Sequence, residues 1–510
     1  MSFDTPPRRW HGTTVDTQTD DGRPTRRHVG NAQAFLRRHE RDCEQYDRLT
    51  TAGQRKLRGE LVDRIADTRN LWHAAWQLTR DGEKAPGPNG ERLHRLLRDN
   101  PRRVWAELRR LSGAIQSRTY EAGPTRVKHI LKSSGRGTRP LEIANWQDQV
   151  VHRAIVQIIQ PLLDPDLDIA SAGFRPGIDR LDTLARAVTL AERQGRHVWV
   201  TADLRDAFTC VPHTALLDRL QTVLDCEPIT RLIRRAVVGN NNRQPGLPQG
   251  SPQSPLLLNV LLDGALDKRW HHRHPDRPHS RYADDILILC RNAEEARESH
   301  AELRQLVQPV GFQLKGTTET DIRDLAVGDA AEWLGVAIRL KGGQFVFELP
   351  QRFSERLRHH LELGLAESDG VLCCGAILRG VMEQLGPIFE HVPQSEVFRH
   401  LADATRLLEI DEIPDQRDLL DAWQNGATRF QTLRQLWRQL IAFDETSSTT
   451  WGEGSAARHP TRSTILAASA PSILFTTSVA RTRAKDGWAY AIVKPGAATT
   501  EDRLSIPSRL

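Results

Sequence analysis

The sequence predicts an α+β fold, because helical patterns flank a central region of short strands. Residues 121–345 mix β-rich runs with helical ones, and residues 350–445 return to a Leu- and Arg-rich helical pattern. Residues 31–120 carry apolar side chains at the three-to-four spacing of amphipathic helices. The positions that show this spacing best are Leu57, Leu61, Ile65, Leu71, Trp72 and Trp76. The first 30 residues are polar and are expected to be disordered.

Composition narrows the class of protein. The chain has 510 residues, of which 38% are hydrophobic, enough for two to four domains or one large enzyme with several lobes. The six cysteines form no CxxC motif, which argues against a zinc ribbon or a disulfide framework and favours a reducing compartment. No stretch approaches the roughly 20 apolar residues that cross a membrane. We therefore expect a cytoplasmic protein without a membrane span.

The positive charge is concentrated in one segment. The whole chain carries a formal net charge of +6, yet residues 91–153 alone contain 14 Lys and Arg against 6 Asp and Glu. A concentrated basic segment is typical of proteins that bind a polyanion. An ordinary solvated face rich in arginine is the alternative.

Three aspartates lie at strand ends. Asp203 ends the β-rich run of HVWVTADLRDAF (197–208), and Asp284 and Asp285 precede the apolar run ILILC in RYADDILILC (281–290). Carboxylates that are buried together need a cation or a hydrogen-bonding partner. If the two segments are neighbours in one sheet, hard oxygen ligands converge at a point that suits Mg²⁺. The alternative is an ordinary hairpin turn.

A loop between these segments reads GLPQGSPQSP (246–255). Its glycines would let the backbone approach a flat ligand such as a base pair. Ser254 and Pro255 predict a helix start, with the serine as side-chain cap and the proline at the first helical position. A simple Pro- and Gly-rich connector is the alternative for the loop taken alone.

Taken together and in this order, the motifs resemble the prokaryotic reverse transcriptases of the group II intron lineage over roughly residues 75–345. YADD alone is short enough to occur by chance, but the other motifs follow with the order and spacing of that family. They are KAPGPNG (84–90), the segment from GRGTRPL to DPDL (135–167), SAGFRPG (171–177), DLRDAF (203–208), LPQGSPQSP (247–255), YADD (282–285) and EWLGVAIR (332–339).

The resemblance implies a right-hand polymerase fold with fingers, a palm that carries a small antiparallel sheet, a helical thumb and a helical N-terminal extension. The expected parts are the extension (1–75), the fingers (76–200), the palm (201–345), the thumb (346–445) and a C-terminal tail or small extension (446–510).

The resemblance also implies roles for individual residues. The expected metal ligands and catalytic residues are Asp203, Asp284 and Asp285, which would hold two Mg²⁺ ions, with Mn²⁺ as a substitute. The expected dNTP-binding residues are Lys132, Arg139, Phe208, Gln249 and Gly250, with Phe208 excluding a 2′-hydroxyl. The expected template and primer contacts are Arg175, Trp333, Leu334 and Gly335.

The chain departs from the family pattern in two places. The sequence after Arg139-Pro140-Leu141 is Glu-Ile-Ala where the family usually has Gly-Ile-Pro. The lysine thought to protonate the leaving pyrophosphate is replaced by Thr318, and Lys315 is the nearest substitute. No cysteine follows Cys374, so the zinc endonuclease module of some relatives is not expected.

The implied function is RNA-directed DNA synthesis with an RNA template, a DNA or RNA primer and dNTPs. The biological setting is left open between three cases. The first is an intron-type enzyme or a domesticated relative without endonuclease, and the second is an antiphage defence reverse transcriptase. The third is an RNA-binding, maturase-like splicing cofactor with dispensable polymerase activity. A cognate structured RNA is an expected partner in each case. The oligomeric state cannot be predicted from the sequence.

Overall fold

The structure is a computed structural model, and it confirms the α+β class. It describes residues 26–448 except 81–84, 132–137, 240–244, 367–369 and 411–413, together with two short strands near the C-terminus. Most of the polar segment 1–30 and most of the tail 446–510 therefore lie outside the described residues. Helix α1 begins at Arg26, so the expected disorder was wrong for residues 26–30.

Helices make up most of the described chain. In the N-terminal part and around the central sheet they are α1 (Arg26–Glu44), α2 (Thr51–Ala66), α3 (Thr68–Arg80), α4 (Leu93–Asp99), α5 (Pro101–Gln116), α6 (Trp146–Leu163), α7 (Arg180–Gln194), α8 (His213–Leu224), α9 (Glu227–Val238), α10 (Ser254–Leu262), α11 (Lys268–Arg273), α12 (Ala293–Val307) and α13 (Thr318–Asp321). The C-terminal helices are α14 (Phe353–Leu365), α15 (Gly370–Gln384), α16 (Gln394–Leu407) and α17 (Gln416–Ser448). A π-helical turn, Asp263–Asp267, joins α10 to α11.

The strands are short and antiparallel. They are β1 (Thr125–Leu131), β2 (Thr138–Ala144), β3 (Val198–Asp203), β4 (His279–Tyr282), β5 (Asp285–Cys290), β6 (Ile322–Asp324), β7 (Ala331–Trp333), β8 (Val336–Lys341), β9 (Gln344–Glu348), β10 (Val479–Ala480) and β11 (Ala491–Ile492). The central sheet has the order β4-β5-β3-β6, and β7-β8-β9 form a second sheet. Strands β1 and β2 pair antiparallel, as do β10 and β11.

The central sheet is buried on both faces. Side chains alternate across a strand, so Val200 of β3 and Ile288 of β5 face a core shared with the N-terminal helices. Trp199 and Leu287 face a second core, which also contains α7, the β7-β8-β9 sheet and the C-terminal helices. Burial on both faces explains why β5 reads as a continuous apolar run instead of an alternating one.

The N-terminal helices have clear local signals. The Thr50 hydroxyl accepts a hydrogen bond from Gly53 N and caps α2, and Asn100 caps α5 by accepting one from Arg103 N. By contrast, the predicted cap of α10 was wrong. Ser254 is the first helical residue and makes no cap bond, because its hydroxyl donates to Pro248 O (2.8 Å) and closes the preceding loop.

The long C-terminal helix α17 packs along α7. The indole Nε1 of Trp437 donates to Asp182 Oδ1 (3.1 Å), and Arg429 forms an ion pair with Asp179 (2.5 Å). Arg434, three residues before Trp437, forms a further ion pair with Glu192 near the C-terminal end of α7. These contacts hold α17 against α7, which packs on the central sheet through the second core. Within the described ranges, no helix has the length and apolar content to cross a bilayer.

Candidate active site

The three aspartates meet at one end of the central sheet. Asp203 is the last residue of β3 and Asp285 the first of β5, and they are direct partners in the antiparallel register. Asp284 lies in the two-residue turn between β4 and β5, and its carbonyl accepts a hydrogen bond from Leu204 N (3.2 Å). The sheet therefore brings together the three carboxylates that the sequence singled out.

The turn is tightly constrained. Ala283, its first residue, has φ +62°, which is the sign that a type II′ hairpin turn needs and that residues with a Cβ rarely adopt. Gly173 lies against the turn so closely that a Cβ added there would be 2.4 Å from Ala283 N. The segment SAGFRPG thus supports the turn by backbone contact.

Burial and mutual repulsion raise the pKa values of the aspartates. Burial, then the charges of Asp284 and Asp203, raise the pKa of Asp285 to about 8. Burial and the charge of Asp284 raise the pKa of Asp203 to about 6, and burial also raises the pKa of Asp284. These are carboxylates that lack enough positive charge around them.

Lys315 is the cation nearest to Asp203. Its Nζ lies 2.5 Å from Asp203 Oδ2, and its backbone N donates to Asp203 O (2.8 Å). A bridge between Leu204 and Leu314 places this segment beside the end of β3. Thr318, at the family's lysine position, instead has its hydroxyl 3.4 Å from His300 Nδ1.

The carboxylates suit a divalent cation, although their present arrangement is not a closed metal cage. Asp203 Oδ1 is buried and has no hydrogen-bond partner, which leaves an acidic oxygen available to a cation. Over the part of the chain that the structure describes, no three or more His, Cys, Asp or Glu side chains are already gathered as ligands. Hard oxygen ligands with raised pKa values fit a divalent ion, and Lys315 holds one of them.

The expected dNTP residues lie around the same end of the sheet where they are described. The charge of Arg139, on β2, acts to lower the pKa of Asp284. The PQGSP loop docks on β2, because Glu142 N donates to Gln249 O (2.8 Å). Gly250 has φ +101°, and a Cβ there would lie 2.7 Å from the Leu141 side chain. Lys132 lies outside the described residues.

Phe208 has an aromatic neighbour that the sequence did not single out. Its ring packs edge-to-face with Phe174, with centroids 6.2 Å apart. Phe174 has φ +61°, a second left-handed residue beside the site. A non-glycine residue in that region is a sign of a constrained segment, but sequence alone does not reveal it.

The expected template and primer residues have mainly internal contacts in this structure. Arg175 donates to Asp164 Oδ1 (3.0 Å), Asp168 O (3.0 Å) and Ser171 O (2.8 Å), so its guanidinium braces the loop before α7. Trp333, at the end of β7, and Leu334, in the turn after it, are only 4% and 8% exposed. Their neighbour Gly335 has φ +78° in the turn between β7 and β8. Their roles in nucleic-acid binding stay predictions.

Comparisons with known proteins agree with the resemblance. Residues 130–317 match the family model described as reverse transcriptase (RNA-dependent DNA polymerase). The Escherichia coli protein YkfC is 30% identical over 209 residues, which are 39% of this chain and 53% of that one. A Saccharomyces cerevisiae putative COX1/OXI3 intron 2 protein is 29% identical over 32% of this chain and 19% of that protein. The Lactococcus lactis group II intron-encoded protein LtrA is 25% identical over 32% of this chain and 28% of its own length.

The chain thus spans between about a fifth and about half of the length of these relatives. A solved telomerase structure from Candida albicans aligns over 71% of each chain at 10% identity with a TM-score of 0.34, a likeness too distant to carry an argument. The domain match and the antiparallel sheet with its aspartates make the fold a right-hand polymerase fold. The boundaries between its parts stay predictions.

Proposed function

Because residues 130–317 form a reverse transcriptase domain of the kind that group II intron proteins contain, we propose that the chain is an RNA-directed DNA polymerase. It adds dNTPs to a primer 3′ end along an RNA template. The observation that carries the proposal is the pairing of Asp203 with Asp285 across two strands, with Asp284 in the adjoining turn. A reverse transcriptase domain requires a divalent cation, and these carboxylates would hold it.

Two Mg²⁺ ions bound by these aspartates would stabilise the attacking and leaving oxygens of an in-line phosphoryl transfer. The residues of the chain supply the rest. Arg139 binds the triphosphate, since a guanidinium matches phosphate oxygens, and Lys132 assists it. Lys315, which pairs with Asp203, is the residue that would donate a proton to the pyrophosphate in place of the lysine absent at Thr318.

The nucleotide pocket is closed by apolar and backbone contacts. Phe208 lies under the sugar and excludes a 2′-hydroxyl, so the enzyme selects dNTPs over rNTPs. Gln249 and Gly250 form the surface for the nascent base pair. The docking of their loop on β2 supports this, because the same strand carries Arg139 and so joins triphosphate and base recognition.

The template–primer duplex is held by the remaining parts of the hand. The basic segment 91–153 and the Arg-rich C-terminal helices contact phosphates without reading sequence, so binding should weaken steeply with salt. Arg175 acts by holding the loop before α7, and Trp333, Leu334 and Gly335 by shaping the hairpin at the primer end. The fingers, palm and thumb correspond to residues 76–200, 201–345 and 346–445.

The intron setting is the one that the relatives support, because several of them are intron proteins by name. One variant distinguishes a polymerase, in either an intron or an antiphage defence setting, from a maturase-like cofactor. Replacing Asp284 and Asp285 by Ala abolishes the biological effect of a polymerase in either of the first two settings. The same replacement leaves intact the splicing function of an RNA-binding cofactor.

Primer extension tests the proposal. Purified protein is given a DNA-primed RNA template and Mg²⁺, with dNTPs or rNTPs in parallel. The variants are Asp284→Asn and, as a matched control, Asp421→Asn, which removes a carboxylate from an exposed position on α17. We expect extension with dNTPs that is lost in Asp284→Asn and retained in Asp421→Asn. Extension that survives Asp284→Asn would refute the assignment of the site.

A further inference from the structure

Arg281, three residues before Asp284, is fully buried beneath the active-site turn. Its side chain is 0% exposed. The guanidinium donates to Asp267 (Nε to Oδ1, 3.0 Å; Nη2 to Oδ2, 2.6 Å), to Asn259 Oδ1 (2.9 Å) and to Ser171 Oγ (2.6 Å). It also donates from Nη1 to the carbonyl of Ala283 (2.9 Å). All three guanidinium nitrogens therefore have partners, on four residues of three segments: the helical run from α10 through the π-turn, the loop that contains Ser171, and the turn after β4.

The charge partner of Arg281 comes from the π-helical turn Asp263–Asp267. A π-turn adds a residue to the helical repeat and is frequent at functional sites. Here the turn ends at Asp267, which is itself fully buried. A buried ion pair stabilises little beyond its desolvation penalty, yet breaking one side is strongly unfavourable. The Arg281–Asp267 pair is therefore better explained by the segments that it holds in position than by a contribution to the free energy of unfolding.

What it holds is the strained turn. Ala283 has left-handed backbone geometry, which persists only where the surroundings impose it. Arg281 holds the carbonyl of Ala283, and Gly173 packs so closely against the amide that a Cβ there would be 2.4 Å from Ala283 N. Asn259 joins the two contacts, because it accepts from Arg281 and donates through Nδ2 to Gly173 O (2.5 Å).

We propose that Arg281 is a positioning residue for the catalytic aspartates: with Asp267 and Asn259 it locks the Ala283 turn so that Asp284 and Asp285 face the cation. The inference rests on the proposed function of the site. Arg281 acts through other residues, since its side chain is fully buried and its guanidinium donates to protein groups. Its planar fork is needed because four acceptors lie in different directions, and a lysine ammonium cannot reach them all.

The test uses Arg281→Lys and a matched control in the same sheet. Arg196 is also 0% exposed, pairs with Glu295 (2.8 Å) and donates to Leu289 O (3.1 Å) at the opposite end of β5. Arg196→Lys therefore removes a buried fork of the same kind far from the aspartates. The measurements are the thermal midpoint, Mn²⁺ binding followed by electron paramagnetic resonance without substrate, and kcat and KM for dNTP.

We expect Arg281→Lys to weaken Mn²⁺ binding and to lower kcat, each by about tenfold, which is the effect of a modest loss of geometry at a metal site. The KM for dNTP should change little. Arg196→Lys should lower the thermal midpoint comparably but leave Mn²⁺ affinity and kcat at wild-type values. If Arg281→Lys is folded at the assay temperature and matches wild type in both, the proposal is wrong.

Asn259→Ala covers the case in which Arg281→Lys does not fold. It keeps the Arg281–Asp267 pair but releases Gly173 O and one guanidinium contact. We expect it to weaken Mn²⁺ binding by about threefold, because the two hydrogen bonds that it removes support the turn only indirectly. Unchanged binding in folded Asn259→Ala would overturn the proposal. If wild type shows no Mn²⁺ binding that depends on Asp203, the proposed function fails instead.

Discussion

Replacing Lys315 should tighten cation binding and slow turnover, two effects of opposite direction. Lys315 Nζ lies 2.5 Å from Asp203 Oδ2, and the two side chains are 43% and 36% exposed. Asp203 Oδ1 is open to a cation, but a cation that also takes Oδ2 must displace this ammonium. Lys315→Met keeps most of the aliphatic stem and removes the charge, so the competition disappears.

The magnitude follows from the exposure of the pair. Ion pairs this open to solvent contribute up to about 1 kcal/mol. The metal-free protein should therefore lose up to about 1 kcal/mol of stability, while affinity for a cation rises by about fivefold. If Lys315 donates the proton to pyrophosphate, kcat falls by about 100-fold, the usual contribution of a general acid.

Mn²⁺ titration without nucleotide and single-turnover primer extension measure the two effects separately. Lys341→Met is the control, because Lys341 forms an ion pair of similar length with Glu348 (2.7 Å) in the second sheet. It should lower stability slightly and change neither readout. Equal or weaker Mn²⁺ binding in Lys315→Met would refute the competition, and an unchanged kcat would refute the proton transfer.

Three further predictions concern the same end of the sheet. Asp203 and Asp285 have pKa values raised to about 6 and about 8, so the neutral forms stabilise the metal-free fold at low pH and that stability is lost as pH rises through these values. The thermal midpoint in EDTA should fall between pH 5 and 9 more in wild type than in Asp285→Asn, and equal slopes would contradict this. Gly173→Ala would place a Cβ 2.4 Å from Ala283 N and should lower kcat by about 100-fold, with circular dichroism to check folding; wild-type kcat would show that the turn can move. Phe208→Val should raise incorporation of rNTPs relative to dNTPs by about tenfold, measured by competition, and an unchanged ratio would exclude Phe208 as the sugar gate.

The positions of the aspartates could be predicted because the signals were local. Asp203 follows a β-rich run, and Asp284 and Asp285 precede another, so pairing of these strands brings the carboxylates together whatever the rest of the chain does. The registers of β3, β4 and β5 agree with that expectation. The helical patterns before and after the sheet were equally local and were confirmed.

Contacts between distant segments could not be predicted in the same way. Arg175 was assigned to the template by resemblance, but its donors are taken by Asp164 and nearby carbonyls. Arg281 was not singled out, although an arginine inside an otherwise buried hairpin is an unusual choice that needs a partner. That partner, Asp267, is 14 residues away and depends on a π-turn that no local pattern indicates.

The docking of α17 on α7 has a mechanical consequence. Helix α7 ends at Gln194, and β3 begins at Val198 and ends at Asp203. A force on α17 can therefore reach the carboxylate of Asp203 through α7 and the short connection to β3. If the C-terminal helices bind a duplex, each one-nucleotide advance of that duplex exerts a force on α17 and, through it, on α7 and β3. High salt would weaken the ion pairs between α17 and α7 but would leave the buried Trp437 in place. The two helices would then stay packed, with a weaker contact between them.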